Sequence, residues 1–212
     1  GVLADNDSSW QNIHELFGTD NSEMLARFLR KEVTDEEFVA DDIRMWRAVQ
    51  ENIHRDDIMR CYSGVKLMPG ARVVVQELQA RGILVAIVSS GVDLLVGSIA
   101  HMLKVDDWVA NGFEWDEDGW MTGPKPTLVD SHDKGAMVAK LARINGFEAA
   151  TIVSVGDSGP DLSMMIPGSR FVGFNPARDR AAGDFEKAGV PVVESRDLRD
   201  IWEPIFGEHF PE

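Results

Sequence analysis

The sequence has one cysteine, no long apolar run and few basic residues, and each shortage excludes a class of protein. With Cys61 alone, no intrachain disulfide forms, which argues against a secreted, cross-linked domain and favours a cytoplasmic location. Apolar runs such as residues 82–88 are much shorter than the roughly 20 residues of a membrane helix. The 21 Lys and Arg residues against 36 Asp and Glu give a formal net charge of -15. Such a field repels nucleic acids and anionic lipid surfaces, so neither is expected as a partner.

The composition that remains is typical of a globular protein. Hydrophobic residues make up 44% and charged residues 27% of the 212 positions, enough for one buried core and a small accessory domain. Adaptation to high salt and ordinary solubility account equally well for the acid excess. The sequence indicates no oligomeric state.

The first third of the chain has a helical pattern. Ser8 with Gln11, and Thr34 with Glu37, have the spacing of helix N-terminal caps, and apolar residues recur at helical spacing after each of them. A further helix is predicted from Arg55 to Tyr62. This block, over residues 9–66, has the character of an insertion.

From Pro69 onward, helical patterns alternate with short apolar strands. This alternation is typical of a parallel sheet that is covered by helices on both faces. A β-hairpin is predicted over residues 111–123. We therefore predict an α/β, Rossmann-like fold with a helical insertion. Its predicted helices span residues 69–82, 92–103, 133–144, 160–165 and about 178–188 with a last helix through Trp202, and its strands span 83–89, 150–156, 170–174 and 190–194.

Two carboxylates follow the strand at residues 150–156. Asp157 and Asp161 are four residues apart at a predicted strand-to-helix turn, and ligands of open parallel sheets bind at such strand ends. Two neighbouring anions repel each other unless a cation neutralises them, and oxygen ligands suit Mg²⁺. Alternatively, Asp161 caps the next helix and Asp157 is an ordinary turn residue.

The earlier strand end has the character of an anion site. Ser89, Ser90 and Gly91 lead into a helix, and their hydroxyl and backbone N–H groups suit a phosphate. The alternative is an ordinary serine cap of that helix.

Lys134 begins another predicted helix, where a cation meets the positive end of the helix dipole. An ammonium group there is suited to neutralising phosphate oxygens. The alternative is a solvated surface lysine whose charge is offset by Asp130 and Asp133.

Together and in this order, the segments IVSSG, DKGAMVAKL and VGDSGPDLSMM resemble the second, third and fourth motifs of the haloacid dehalogenase phosphatases. The resemblance is closest to the phosphoserine phosphatase group, and the helical insertion matches the position of that group's cap. It implies a core over residues 1–8 and 67–212 and a helical cap over 9–66. It also implies a Mg²⁺-dependent phosphomonoester hydrolase that acts on a small phosphorylated metabolite through an aspartyl-phosphate.

The resemblance also implies roles for the site residues. Ser89, with Ser90 and Gly91, would bind the phosphoryl group, and Lys134 would neutralise it and orient the nucleophile. Asp157 would ligate Mg²⁺, and Asp161 would support the metal site or Lys134. Phosphoryl transfer depends mostly on positioning and charge stabilisation, which such a set supplies.

The family's nucleophile is the first aspartate of an Asp-x-Asp motif at the end of the first strand. Residues 1–3 resemble the continuation of that motif, so we expect both aspartates to lie immediately upstream of Gly1. The alternative is that Asp5 and Asp7 form the motif. It leaves no room for the family's turn and flap, because a capped helix follows at once.

The residues expected to recognise the substrate match the pattern of the phosphoserine phosphatase group less closely. Asp7 has the position of the acidic residue that binds the amine of phosphoserine, but Asp41 stands where the group has a carboxylate-binding arginine, with Arg44 one turn away. Pro160 replaces a common asparagine in the fourth motif. A phosphotransferase, a non-catalytic phosphate-binding or regulatory module, and a Rossmann-like domain for another anion are the alternative functions.

Overall fold

The structure is a computed structural model that describes residues 1–176 and 179–211. Its helices are α1 (Ser9–Phe17), α2 (Ser22–Leu29), α3 (Asp35–Val49), α4 (Arg55–Cys61), α5 (Ala71–Ala80), α6 (Asp93–Leu103), α7 (Lys134–Asn145), α8 (Asp179–Ala188) and α9 (Trp202–Phe206). Its strands are β1 (Ala4–Asp5), β2 (Lys66–Leu67), β3 (Ala86–Val92), β4 (Asp107–Asn111), β5 (Phe113–Trp115), β6 (Met121–Pro124), β7 (Val153–Gly156), β8 (Arg170–Phe174) and β9 (Val192–Val193). Within the described residues, no helix is long and apolar enough to cross a membrane.

The four helices of the insertion leave and rejoin the rest of the chain through neighbouring strands. β1 pairs antiparallel with β2, so α1 to α4 lie between two adjacent chain segments. The predicted caps are present: the Ser8 hydroxyl accepts a hydrogen bond from the Gln11 amide, and Thr34 and Glu37 form a reciprocal capping box. The fourth helix ends at Cys61, one residue before its predicted end.

The parallel arrangement predicted from the alternating pattern is confirmed. β3 pairs parallel with β4, and β8 pairs parallel with both β7 and β9. The predicted hairpin is the antiparallel pair β5 and β6. β4 was not predicted, because this strand begins with Asp107 and an exposed Trp108 and so lacks the apolar run of a central strand.

Three predicted core elements differ in detail. β3 begins at Ala86 rather than at residue 83, and the Val85 amide donates to the Asp106 side chain instead of to a strand. The helix after β7 is a 3₁₀ helix over Gly159–Met164. The helix predicted from Arg178 begins at Asp179 among the described residues, and Arg178 itself lies outside them.

One large apolar cluster joins the insertion to the core. It contains side chains from the insertion, such as Trp46 and Ile13, together with Phe113 and Trp202 from the core. A second cluster, around Phe171, lies between β8 and its covering helices. α1 and most of α3 are therefore packed onto the core as part of one interior.

A cleft of about 1350 Å³ lies where β3 and β7 face each other. Within the described residues, β3–β4 and β7–β8–β9 are separate hydrogen-bonded groups, and the inner edges of both line the cleft. The last residues of β3 and the turn that follows β7 line it as well. The two strand ends where chemistry was predicted thus face one cleft.

Candidate active site

The turn after β7 is built around Asp161. Its Oδ2 accepts hydrogen bonds from the Asp157 amide at 3.1 Å, the Ser158 amide at 3.0 Å and the Ser158 hydroxyl at 2.8 Å. A side chain at Gly156 would put its Cβ 2.3 Å from the Asp161 Cβ, so the close approach requires glycine. Asp161 therefore completes a capping box with Ser158, which is the N-cap of the 3₁₀ helix. It also has a second role.

The second oxygen of Asp161 holds Lys134. The Lys134 Nζ donates to Oδ1 at 2.6 Å, and both residues are buried, with exposures of 8% for Lys134 and 5% for Asp161. Burial alone would raise the pKa of Asp161, but the Lys134 ammonium and the Ser158 hydrogen bonds outweigh it and hold that pKa below its usual value. This lysine is not a solvated surface residue.

Two contacts fix the helix start that carries Lys134. The Lys134 amide donates to the Ser163 hydroxyl at 3.0 Å, and Asp133 caps α7 by accepting from the Ala136 amide. A side chain at Gly135 would put its Cβ 2.3 Å from the Ser163 carbonyl oxygen, so α7 packs directly on the 3₁₀ helix. The lysine and the turn that binds it thus form one unit.

Asp157 lies beside this unit and lines the cleft. Burial raises its pKa, and the nearby Asp161 charge adds to the rise, while the positive charge of Lys134 opposes it. The Gly1 nitrogen is 3.3 Å from Asp157 Oδ1. Asp157 is therefore a carboxylate whose negative charge is incompletely compensated, which is a suitable ligand for a cation.

The last part of β3, over Ser89–Gly91, lies across the cleft, where the pairing register of the strand shifts between Val88 and Val92. The Ser89 hydroxyl accepts from the Gly91 amide at 3.0 Å, and the Ser90 carbonyl accepts from the Trp10 indole at 3.1 Å. The residue that caps α6 is Val92, which makes no side-chain cap, so Ser89 and Ser90 are not ordinary helix caps. Ser89, Ser90 and Gly91 all line the cleft together with Lys134.

The residues proposed for substrate recognition separate in the structure. Asp7 lines the cleft. Arg44 is not among the residues that line it; its side chain is 70% exposed and pairs with Asp41 in the same helix. Asp5 forms an ion pair with Arg196 and does not line the cleft either, so the Asp5 and Asp7 carboxylates do not face one site.

Residues 4–165 match the family of haloacid dehalogenase-like hydrolases. The chain belongs to this family. It is 28% identical over 182 residues to a phosphoserine phosphatase of Archaeoglobus fulgidus, covering 84% of this chain and 52% of that one. It is 34% identical over 135 residues to one of Methanocaldococcus jannaschii, covering 62% and 60% of the two chains. The chain thus spans about half to three-fifths of the length of these relatives.

Solved structures agree with this membership in the haloacid dehalogenase-like family. A phospho-aspartyl intermediate analogue of a phosphoserine phosphatase superposes with a TM-score of 0.72 at 26% identity, covering 95% of this chain and 92% of that one. The predicted α/β fold with a parallel sheet is confirmed.

The sequence analysis missed two supporting serines of this site. Ser158 donates to Asp161, and Ser163 accepts from the Lys134 amide. The sequence does indicate a role for Ser158, because Ser158 and Asp161 have the spacing of a capping box. No sequence pattern indicates Ser163, since Ser163 and Lys134 meet only when α7 packs against the 3₁₀ helix.

Proposed function

We propose that this protein is a Mg²⁺-dependent phosphomonoester hydrolase that acts on a small phosphorylated metabolite in the cytoplasm. The observation that carries the proposal is the buried Lys134–Asp161 pair, which lies beside Asp157 and lines the same cleft as Ser89. A buried lysine held by one carboxylate is a fixed positive charge with further N–H donors for phosphoryl oxygens. The curated relatives are phosphoserine phosphatases, which makes phosphoserine the first substrate to test.

In the proposed reaction, a carboxylate attacks phosphorus, the substrate alcohol leaves, and water then cleaves the aspartyl-phosphate to release inorganic phosphate. Ser89 and the amides of its turn would donate to the phosphoryl oxygens. Lys134 would offset their charge and hold the attacking carboxylate, and Asp161 would keep the ammonium in place. These groups are fixed before substrate arrives, as electrostatic catalysis requires.

We propose that the attacking carboxylate belongs to a residue just N-terminal to Gly1. The support is geometric: the Gly1 nitrogen is 3.3 Å from Asp157, whereas the Asp5 side chain pairs with Arg196 outside the cleft. A residue preceding Gly1 would lie near Asp157, in the cleft that Lys134 and Ser89 also line. Asp7 is then left for the substrate, where it would bind an amine.

Asp157 fits the role of a Mg²⁺ ligand. Mg²⁺ is bound through one or two carboxylates, with waters and substrate phosphate completing its shell. Within the described residues, no group of three or more His, Cys, Asp or Glu side chains is arranged to hold a metal ion. Asp157 is the carboxylate of this cleft that would hold Mg²⁺. Bound Mg²⁺ would neutralise charge on the phosphoryl group.

The decisive test is a phosphatase assay on the full gene product, with every residue that is encoded before Gly1. We expect phosphate release from phosphoserine or another small phosphomonoester with Mg²⁺, and its loss in Lys134→Ala. An Asp7→Asn variant should weaken binding of amine-bearing substrates only. If no small phosphomonoester is hydrolysed, the alternative of a non-catalytic phosphate-binding module replaces the enzyme.

A further inference from the structure

The helical insertion over residues 9–66, which we call the cap, packs on the core through the large apolar cluster. It also contacts the core on the rim of the cleft. The Ser131 hydroxyl donates to Asp35 Oδ1 at 2.5 Å, and the Ser131 amide donates to Asp35 Oδ2 at 3.3 Å. Asp35 is the first residue of α3, and Ser131 lies in the loop that leads directly into Lys134. These two hydrogen bonds join residues that are 96 positions apart.

An aromatic contact lies beside them. The Nε2–H group of His132 donates to the Phe28 carbonyl oxygen at 3.1 Å, and the centres of the two rings are 4.9 Å apart. Phe28 also contacts Phe38, with ring centres 4.7 Å apart. The loop before Lys134 therefore contacts the end of α2 as well as the start of α3.

The part of the cap that makes these contacts has an apolar cluster of its own. Phe28, Val33 and Phe38 form this cluster with Met24 and Leu25, apart from the large cluster that contains Trp46. We call residues 22–38 the cap tip. The side chains of the cap tip thus lie outside the main interior, and α3 continues from the cap tip into that interior at Val39. Several of its side chains line the cleft, among them Leu25, Phe28 and Asp35.

The loop itself is too tightly bonded to absorb a displacement. Asp130 Oδ1 accepts from the His132 amide at 2.7 Å and from the Asp133 amide at 3.1 Å. Lys134 follows at once and is held by Asp161. A change at Ser131 is therefore passed on to the lysine.

We propose that Asp35 and Ser131, with His132 and Phe28, form a latch that holds the cap tip over the cleft and positions Lys134 through the loop at 130–133. Asp35 and Ser131 are then positioning residues. With the latch formed, the loop that it holds and the lysine that Asp161 holds are in place together, so the phosphoryl group would meet its full set of donors under a closed cap. This inference rests on the proposed function for its consequence in catalysis, but not for its structural content.

The energetics of Asp35 suit a contact that opens and closes. The carboxylate is half-buried, and burial raises its pKa although the Ser131 hydrogen bonds oppose the rise. On opening, water would replace Ser131 as the hydrogen-bond partner. The exchange of one set of hydrogen bonds for another is nearly balanced.

Amide hydrogen exchange on the full chain tests the latch without any activity. In Asp35→Ala, we expect exchange to rise about tenfold both in the cap tip and at residues 131–134, as for the loss of a hydrogen bond to a charged group. Ser131→Ala should give the same pattern. Thr34→Ala is the matched control, because it removes the cap of α3 one residue away and should raise exchange at residues 34–38 alone.

Kinetics with p-nitrophenyl phosphate give the second measurement. We expect kcat to fall about tenfold in Asp35→Ala and in Ser131→Ala, with no further fall in the double variant, because both remove the same interaction. Asp35→Asn keeps an acceptor for Ser131 and should restore most of kcat. Equal exchange at residues 131–134 in Asp35→Ala and Thr34→Ala, or additive losses in the double variant, would overturn the latch. An enzyme that is inactive in every form, with the exchange pattern intact, would overturn the proposed function and leave the latch standing.

Discussion

At the end of β7, both carboxylate oxygens of Asp161 have partners, and the lysine that Oδ1 holds is buried. At the end of β3, the Ser89 hydroxyl accepts from a backbone amide two positions away. We call these two segments the β7 wall and the β3 wall of the cleft. The β7 wall carries fixed charges that are tied to the fold. The β3 wall offers neutral donors whose hydrogen bonds are easily exchanged. In the site that we propose for a dianionic phosphoryl group, the buried charges thus lie where the fold holds them, and neutral donors are left for the ligand.

The comparison predicts that removing a charge from the β7 wall damages folding as well as catalysis. Lys134→Ala leaves the Asp161 carboxylate buried without its cation, which should lower the free energy of unfolding by about 3–5 kcal/mol. We also expect kcat to fall by about 10²–10³, as for the loss of one fixed electrostatic donor. Urea unfolding and steady-state kinetics measure the two effects. The control is Lys140→Ala, which removes an exposed lysine of the same helix. If both variants were equally stable, the charges of the β7 wall would not be tied to the fold.

Removing the charge of Asp157 should have the opposite effect on stability, because its buried negative charge destabilises the folded chain. Its raised pKa means that the folded state binds the proton more tightly, so its contribution to stability is lost as pH rises from the unfolded pKa through the folded one. Without metal, Asp157→Asn should therefore be at least as stable as the parent at neutral pH. Mg²⁺ at about 100 times its Kd should stabilise the parent by about 2.7 kcal/mol and the variant much less. Thermal unfolding of the parent and the variant, with and without Mg²⁺, measures this difference. If Mg²⁺ stabilised both proteins equally, Asp157 would be excluded as a ligand.

Asp161→Asn isolates the charge from the hydrogen bonds of the β7 wall. The amide oxygen still accepts from the Ser158 groups, but Lys134 loses its counter-ion, so we expect a loss of about 1.5–3 kcal/mol at neutral pH. Because the pKa of Asp161 is lowered in the folded state, its contribution is complete above the unfolded pKa and is lost as pH falls through the folded value. The stability difference between parent and variant should therefore shrink below about pH 4. A difference that does not change with pH would contradict this account.

The smallest effect on stability is expected from the β3 wall. Ser89→Ala removes a partly buried hydrogen bond to the Gly91 amide, which should cost about 0.5–1.5 kcal/mol. Binding of inorganic phosphate, measured by calorimetry, should nevertheless weaken. A loss of stability as large as that of Lys134→Ala would mean that the two walls do not differ.

The sequence was sufficient for features that depend on neighbouring residues. The helix caps at Ser8 and Thr34 and the apolar strand at residues 170–174 are local signals, and the structure has them. The strand predicted over residues 150–156 begins only at Val153, because Ala149–Thr151 form a 3₁₀ helix. The sequence also predicted that Ser89 and Asp157 line one cleft, because parallel strands end on the same side of a sheet. Lys134 was added by the family resemblance.

Features that depend on distant contacts were out of reach. Nothing near Asp35 indicates a partner 96 residues away, and the exposed position of Arg44 follows from how α3 faces the core. β4 was missed for a different reason, since an edge strand with acidic residues has no continuous apolar run. Local chemistry therefore predicted which residues meet in the cleft, whereas the contacts around them required the fold.

The bond between Trp10 and the β3 wall has a consequence for natural sequence variation. The indole N–H donates to the main-chain carbonyl of Ser90, so the contact does not depend on which side chain stands at position 90. Related sequences can therefore drift at position 90 among small residues without loosening this tie. Position 10 needs a side chain that donates a hydrogen bond. Where Trp10 is replaced, we expect another donor that is long enough to reach from α1 to the same carbonyl oxygen.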